Sequence, residues 1–180
     1  MQSPDDVLSF WFEKHGPADW FAGKPEFDDK IRARFAATHE AVSAGEAYGW
    51  RTTPGGRLAE IIVLDQFSRQ LHRGSARAFA QDGMALVLAQ EAVAQGIDRQ
   101  IPIARRSFLY MPFMHSESLA IQGQSVRLFK ALGNADQVKY AEAHFEVIRR
   151  FGRFCKRNEA LGRPSTPEEI AYIESSEGTF

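Results

Sequence analysis

The sequence predicts an all-α fold of six to eight helices arranged as antiparallel neighbours on short turns, in a compact bundle or a stacked α-α superhelix. Three observations predict it. No stretch sustains the apolar-polar alternation of a half-buried strand. Each boundary is a helix N-cap, such as Ser3-Pro4 or Thr166-Pro167, or a helix stop, such as Gly45, Gly96 or Gly133. The central elements, of roughly 17–20 residues, are long enough for helix pairs to stack as a short right-handed solenoid, although no repeat of fixed period imposes that stacking.

In chain order, Ser3 as N-cap, Pro4 at the first helical position and Asp6 three residues after the cap open a helix that runs to about Lys14. Val7, Leu8, Phe10, Trp11 and Phe12 are too many for one stripe, so this helix packs on two sides. His15-Gly16-Pro17 stops it, and Trp20-Phe21 in the following loop is expected to plug a gap between helices. Pro25 starts a second helix, with Phe27, Ile31, Phe35 and Thr38 inside and a solvated face of Asp28, Asp29, Lys30, Arg32 and Arg34. A loop from Tyr48 to Gly56 then leads to the stretch that organises the chain, Leu58 to Asp82, read as two helices joined at Gly74-Ser75.

In the first of these, Leu58, Ile61, Ile62, Asp65 and Arg69 share one face while Leu64, Phe67 and Leu71 cover the other, so the helix is buried on both sides. The second takes Ser75 as N-cap, stops at Gly96 and packs through Phe79, Met84, Leu86, Val87 and Leu88. A helical piece from about Pro102 to Met111 is expected to break at Pro112, because proline removes a backbone donor and disfavours helix at the residue before it. The next helix starts between Pro112 and Ser118 and reaches Leu132, with Ile121, Ser125, Leu128, Phe129 and Leu132 on one face. Asn134 with Gln137 forms the capping box of a helix to about Arg150, striped by Tyr140, His144, Val147, Ile148 and Phe151. A basic irregular segment to Pro164 precedes a last short helix from Thr166.

Composition narrows the function classes. With 180 residues, 44% hydrophobic and 25% charged, the chain suits one globular domain over residues 1–180. A net charge of −1 argues against a nucleic-acid or membrane-surface binder held by its overall field. The single cysteine, Cys155, excludes an intrachain disulfide framework and a Cys-rich zinc site, and fits a reducing cytosol. The acidic start, Met1 to Asp6, is unlike a signal peptide, and no apolar run approaches the roughly 20 residues that span a bilayer. A soluble cytoplasmic protein is expected.

Polar groups stand where apolar ones belong. Asp65 and Arg69 are charges in an apolar stripe, and a mutual i,i+4 pair is their cheapest remedy; such a pair braces the fold or lines a polar pocket. His115-Ser116-Glu117 follows Pro112, where helix-start N–H groups can hold an anion, or where the same residues form a capping network. His144 on its apolar stripe reads as a hydrogen-bonded core histidine or as part of a site. Between 149 and 163, six positive side chains face Glu159 alone, interleaved with Phe151 and Phe154. Single-stranded nucleic-acid binders use that pattern, but on a nearly neutral protein inward pairing with Glu60, Asp65 and Glu117, or a small anion, is the better account.

The ligand-type spacings exclude familiar chemistry. His115 and Glu117 are two apart, and no His-Glu-x-x-His or carboxylate-x-x-His pair occurs, so no metal is expected. Gly-x-Ser-x-Gly and the phosphate-binding glycine loops are absent, so no cofactor is expected either.

Trp20-Phe21 after a Phe-Trp-Phe helix, Leu64-Asp65-Gln66-Phe67-Ser68-Arg69, Tyr110-Met111-Pro112-Phe113-Met114-His115-Ser116-Glu117, Phe151-Gly152-Arg153-Phe154 and Arg157-Asn158 through Leu161-Gly162-Arg163 resemble the bacterial domain-of-unknown-function family 924. The resemblance covers almost the whole chain. It implies a tetratricopeptide-like helical fold and no established activity. Where the family pattern reads Phe-Pro-His-Arg-Asn, this chain has Phe154-Cys155-Lys156-Arg157-Asn158. Lys156 cannot replace a histidine acid or base near neutral pH without a large pKa shift, whereas a positive binding group survives the exchange.

Two functional expectations follow. In the first, a polar cleft holds a small anion or a peptide end, with Arg69, His115, Arg153 and Arg157 as donors, Asp65 and Glu117 orienting them, and His144 and Asn158 beside them. In the second, a cofactor-independent enzyme uses His115 as acid or base, oriented by Glu117 or Asp65, with arginines on the developing negative charge. The binding reading is preferred because no nucleophile is visible, and it is compatible with a homo-oligomer.

Overall fold

The computed structural model describes residues 1–175, whose regular structure is entirely helical, with no strand among them. The chain divides into two compact units: Met1–Arg73 with Arg77–Pro112, and Gly74–Ala76 with the chain from Phe113 on. Among the described residues no helix is long and apolar enough to cross a membrane.

The first unit begins with α1 (Pro4–Phe12), whose Ser3-Asp6 capping box closes in both directions. It continues through α2 (Pro17–Trp20), α3 (Pro25–Ser43), a 3-10 turn over Tyr48–Thr52 and α4 (Pro54–Ile62). α4 runs on through a π segment, Val63–Phe67, into α5 (Ser68–Leu71), making one continuous helix. Leu58, Ile61, Ile62, Val63, Leu64 and Phe67 are all buried, so both faces of this helix are covered, as its apolar pattern requires. Trp20 stacks on Trp11 with ring centres 5.4 Å apart and donates its indole N–H to the Trp11 carbonyl, while Phe21 stays exposed. Only the first of that aromatic pair therefore plugs the core.

Several boundaries differ from expectation. The helix expected at Ser75 starts at Asp82 as α6 (Asp82–Ala94), after a single 3-10 turn over Ala76–Ala78. The reason is tertiary: Asp82 is drawn onto Arg69, and an acid in the first turn also suits the helix dipole. The buried face of α6 is Ala85, Leu88, Ala89 and Ala92, and Val87 is 62% exposed. Asp28, expected on a solvated face, is instead buried against Arg73, which donates to both of its oxygens. The expected break at Pro112 is absent, because α7 (Ile103–Met114) passes straight through it. Pro112 lies in the last turn, so one intrahelical bond is lost, and burial of Phe113 and Met114 holds the turn in place.

In the second unit, α8 (Leu119–Leu132) and α9 (Ala135–Phe151) form a hairpin across Gly133-Asn134, with Gly133 at φ +83°. Asn134 accepts from the N–H groups of Asp136 and Gln137, an N-cap without the reciprocal bond expected from Gln137. Gln122, Ser125 and Phe129 are the buried residues of α8; Ala141, His144, Val147 and Ile148 are those of α9, and Tyr140 is exposed. After Gly152 and a 3-10 turn over Cys155–Arg157 the chain reaches α10 (Pro167–Glu174), opened by a complete Thr166-Glu169 capping box.

Candidate functional site

In the first unit, Asp65 and Arg69 form the expected i,i+4 pair, Nη1 to Oδ1 at 3.2 Å, and Arg69 also donates to the Asp65 carbonyl at 2.6 Å. Sequence reasoning missed the second carboxylate: Asp82 takes both guanidinium nitrogens, at 2.8 and 3.0 Å. Burial works against the Arg69 charge, but the two aspartates outweigh it and hold the guanidinium firmly protonated. The second oxygen of Asp65 accepts from Gln66 at 2.6 Å. Glu60, expected to attract a C-terminal arginine, is instead held by Arg51, whose Nε and Nη2 donate to its carboxylate at 2.7–3.1 Å.

In the second unit, the other sequence-predicted residues come together around the buried ring of Phe154. His144 packs on Phe154 at 5.5 Å between ring centres, and His115 lies 6.3 Å from His144. Arg157 lays its guanidinium over the same ring at 4.4 Å and donates to the His115 carbonyl at 3.1 Å. His144 Nδ1 faces the Tyr140 carbonyl at 2.7 Å; a carbonyl only accepts, so Nδ1 carries the proton.

A continuous polar network frames the ring. Glu117 accepts from the Phe154 N–H at 2.8 Å and from both terminal nitrogens of Arg163, at 2.7 and 2.9 Å. Burial pushes the Glu117 carboxyl up, but the bonds from Arg163 and the Phe154 N–H outweigh it and leave the group below its ordinary range. Arg163 also donates to the Phe154 carbonyl and to Asn158 Oδ1, and Asn158 Nδ2 passes the network on to Ser165 and Glu169. Glu169 ends it, gripped by Arg153 at 2.6 and 2.8 Å. The Arg153 bonds and then the Thr166 N–H hold its carboxyl down to about 2.

The basic segment thus turns mostly inward or onto neighbouring acids: Arg149 meets Glu146, Arg150 meets Glu168, Arg153 meets Glu169 and Arg163 meets Glu117. Glu169 did have a sequence signal, its place three residues after the Thr166 cap. Arg163 had its charge and its place in the Leu161-Gly162-Arg163 motif, but neither pointed to Glu117 as its partner. A concavity of about 340 Å³ between α9 and Tyr172 counts Arg149, Arg150 and Phe151 among its lining residues. Among the described residues no group of three or more His, Cys, Asp or Glu is arranged to hold a metal ion.

Fold and site together define an all-helical protein with an arginine-carboxylate network built around one buried phenylalanine. The chain belongs to the family described as bacterial protein of unknown function (DUF924), whose model matches residues 7–177. It is similar to the solved structure of a protein of unknown function from Agrobacterium tumefaciens, with 38% identity and a TM-score of 0.90 over 95% of this chain and 96% of that one. No curated protein matches it.

Proposed function

We propose that this is a tetratricopeptide-like binding domain whose second unit holds a small anion, or the carboxylate end of a peptide, at Phe154. The observation that carries the reading is the packing of His144 and Arg157 on that one buried ring, with His115 next to His144 and its carbonyl bonded by Arg157. The cation–π contact holds the Arg157 guanidinium against the ring, and a planar fork of N–H donors is the group best matched to a carboxylate or phosphate. The Glu117, Arg163, Asn158, Glu169 and Arg153 network supplies the rigid support that such a platform needs. Asp65 and Arg69 act as a brace within their own unit. Catalysis with Glu117 orienting His115 has less support, because Arg163 and the Phe154 N–H already engage both Glu117 oxygens.

The test is a thermal-shift titration with phosphate, short dicarboxylates and a peptide with a free carboxylate. A ligand at 100 times its Kd stabilises the native state by about 2.7 kcal/mol. The expected result is a saturable rise in Tm that Arg157→Met abolishes and Arg149→Met leaves intact. No rise with any of these anions, or a rise that survives Arg157→Met, ends the reading.

A further inference from the structure

Three consecutive backbone carbonyls at the end of α7 are taken up by side chains. Gln122 Nε2 donates to the Met114 and Ser116 carbonyls, both at 2.7 Å, and Arg157 donates to the His115 carbonyl between them. A side-chain amide has two N–H donors on one side and a single acceptor oxygen on the other. Turning the Gln122 amide over would set its oxygen against two carbonyl oxygens, so its orientation is fixed by chemistry. Gln122 Oε1 therefore points away from the turn. There it is sealed from solvent, and it meets no hydrogen-bond donor among the described residues.

Three residues further along the same buried face of α8, the Ser125 hydroxyl is in the same condition: fully buried, with no partner among the described residues. Buried polar atoms are almost always matched, by protein or by an ordered water. Here two unmatched groups stand about one helical turn apart on one face, one an acceptor oxygen and the other a hydroxyl that can donate.

We propose that Gln122 Oε1 and Ser125 Oγ form a binding site for one internal water molecule. The ligand class follows from the groups. An acceptor oxygen requires a donor, a buried hydroxyl offers its proton to an acceptor, and a site sealed from bulk solvent admits a small uncharged molecule that does both. The water donates one proton to Gln122 Oε1 and accepts from the Ser125 hydroxyl, which brings both atoms into the hydrogen-bonded state typical of protein interiors. Its effect reaches the turn through the amide. With Oε1 anchored, Nε2 is held on the Met114 and Ser116 carbonyls that bracket His115, so Gln122 and its water are positioning groups for that histidine. The inference does not depend on an anion binding at Phe154, and either can fail without the other.

Two measurements on the full chain test it. A crystal structure that resolves ordered solvent is expected to show one density peak at about 2.7–3.2 Å from both Gln122 Oε1 and Ser125 Oγ. Ser125→Ala is expected to lower Tm by about 2–4 °C, against the higher helix propensity of alanine, and to shift the side-chain amide resonances of Gln122 in an NMR spectrum. An unchanged or raised Tm means that the hydroxyl was buried without a partner, and overturns the site. So does a map with no peak between the two oxygens.

Discussion

Arg69 shows how much a single residue's surroundings matter for its energetics. An arginine left buried without a counter-ion is among the costly events in a core, yet Arg69 has two carboxylates, one on its own helix and one at the start of α6. Removing either leaves the other in place. Asp65→Ala and Asp82→Ala are therefore each expected to cost about 1–3 kcal/mol, the range for a charge-assisted bond. The double variant is expected to exceed the sum of the two, since only then is the guanidinium uncompensated. Denaturant titration of the four chains measures the coupling. Additivity within about 0.5 kcal/mol would mean that solvent already serves Arg69 and that the pair is no brace. The i,i+4 half of this cluster was legible from residue spacing, whereas Asp82 was not, because thirteen positions of chain separate it from Arg69.

At the scale of the element, α4 owes its start to one glycine. Thr53 caps the helix by accepting from the Gly56 N–H at 3.0 Å, and the chain folds back so closely that a Cβ on Gly56 would sit 2.0 Å from the Trp50 carbonyl oxygen. That neighbour is backbone and cannot swing aside. Gly56→Ala is expected to cost roughly 2–4 kcal/mol, as other substitutions that overfill a packed site do. Gly55→Ala meets only the end of the Leu8 side chain at 3.4 Å and is expected to be neutral or stabilising, because alanine favours the helix. Equal melting temperatures for the two variants would refute the close-approach account. The Pro54-Gly55-Gly56 run reads locally as a loop, and only the packed turn at Trp50 shows which of its glycines is obligatory.

For the whole molecule, acid is the sensitive direction. Burial first, then the charges of His72 and Arg77, press His39 down to about 4, while its Nε2 lies 2.8 Å from the buried Ser68 hydroxyl. An unfolded histidine titrates near 6.5, so between about 6.5 and 4 the unfolded chain binds a proton that the folded chain does not. Stability is full above that window, falls as pH drops through it, and levels off below. The loss approaches about 3 kcal/mol at the bottom. Glu169 adds a second limb with the same direction. Its carboxyl, ordinarily near 4.5, is held at about 2, so its contribution is present above 4.5 and is lost as pH falls toward 2. A Tm profile from pH 8 to pH 3 should fall monotonically, and His39→Asn should flatten the limb between 6.5 and 4. A profile unaltered by that substitution would assign the acid sensitivity elsewhere.

Periodicity, caps and stops determined the helical class, the two-sided burial of the Leu58 to Leu71 stretch, the Asp65-Arg69 pair, the capping residues Ser3, Asn134 and Thr166, and the glycine stops. These are local: each rests on residues within about one turn of one another, so chain order alone carries them. Tertiary structure decided the rest. It moved the start of α6 to Asp82, carried α7 through Pro112, buried Asp28 on Arg73, and chose Glu117 for Arg163 and Glu169 for Arg153. Those pairings lie 16 to 46 residues apart. A basic segment offers several arginines to several acids at nearly equal local cost, and only packing around Phe154 makes one set of partners better than the others.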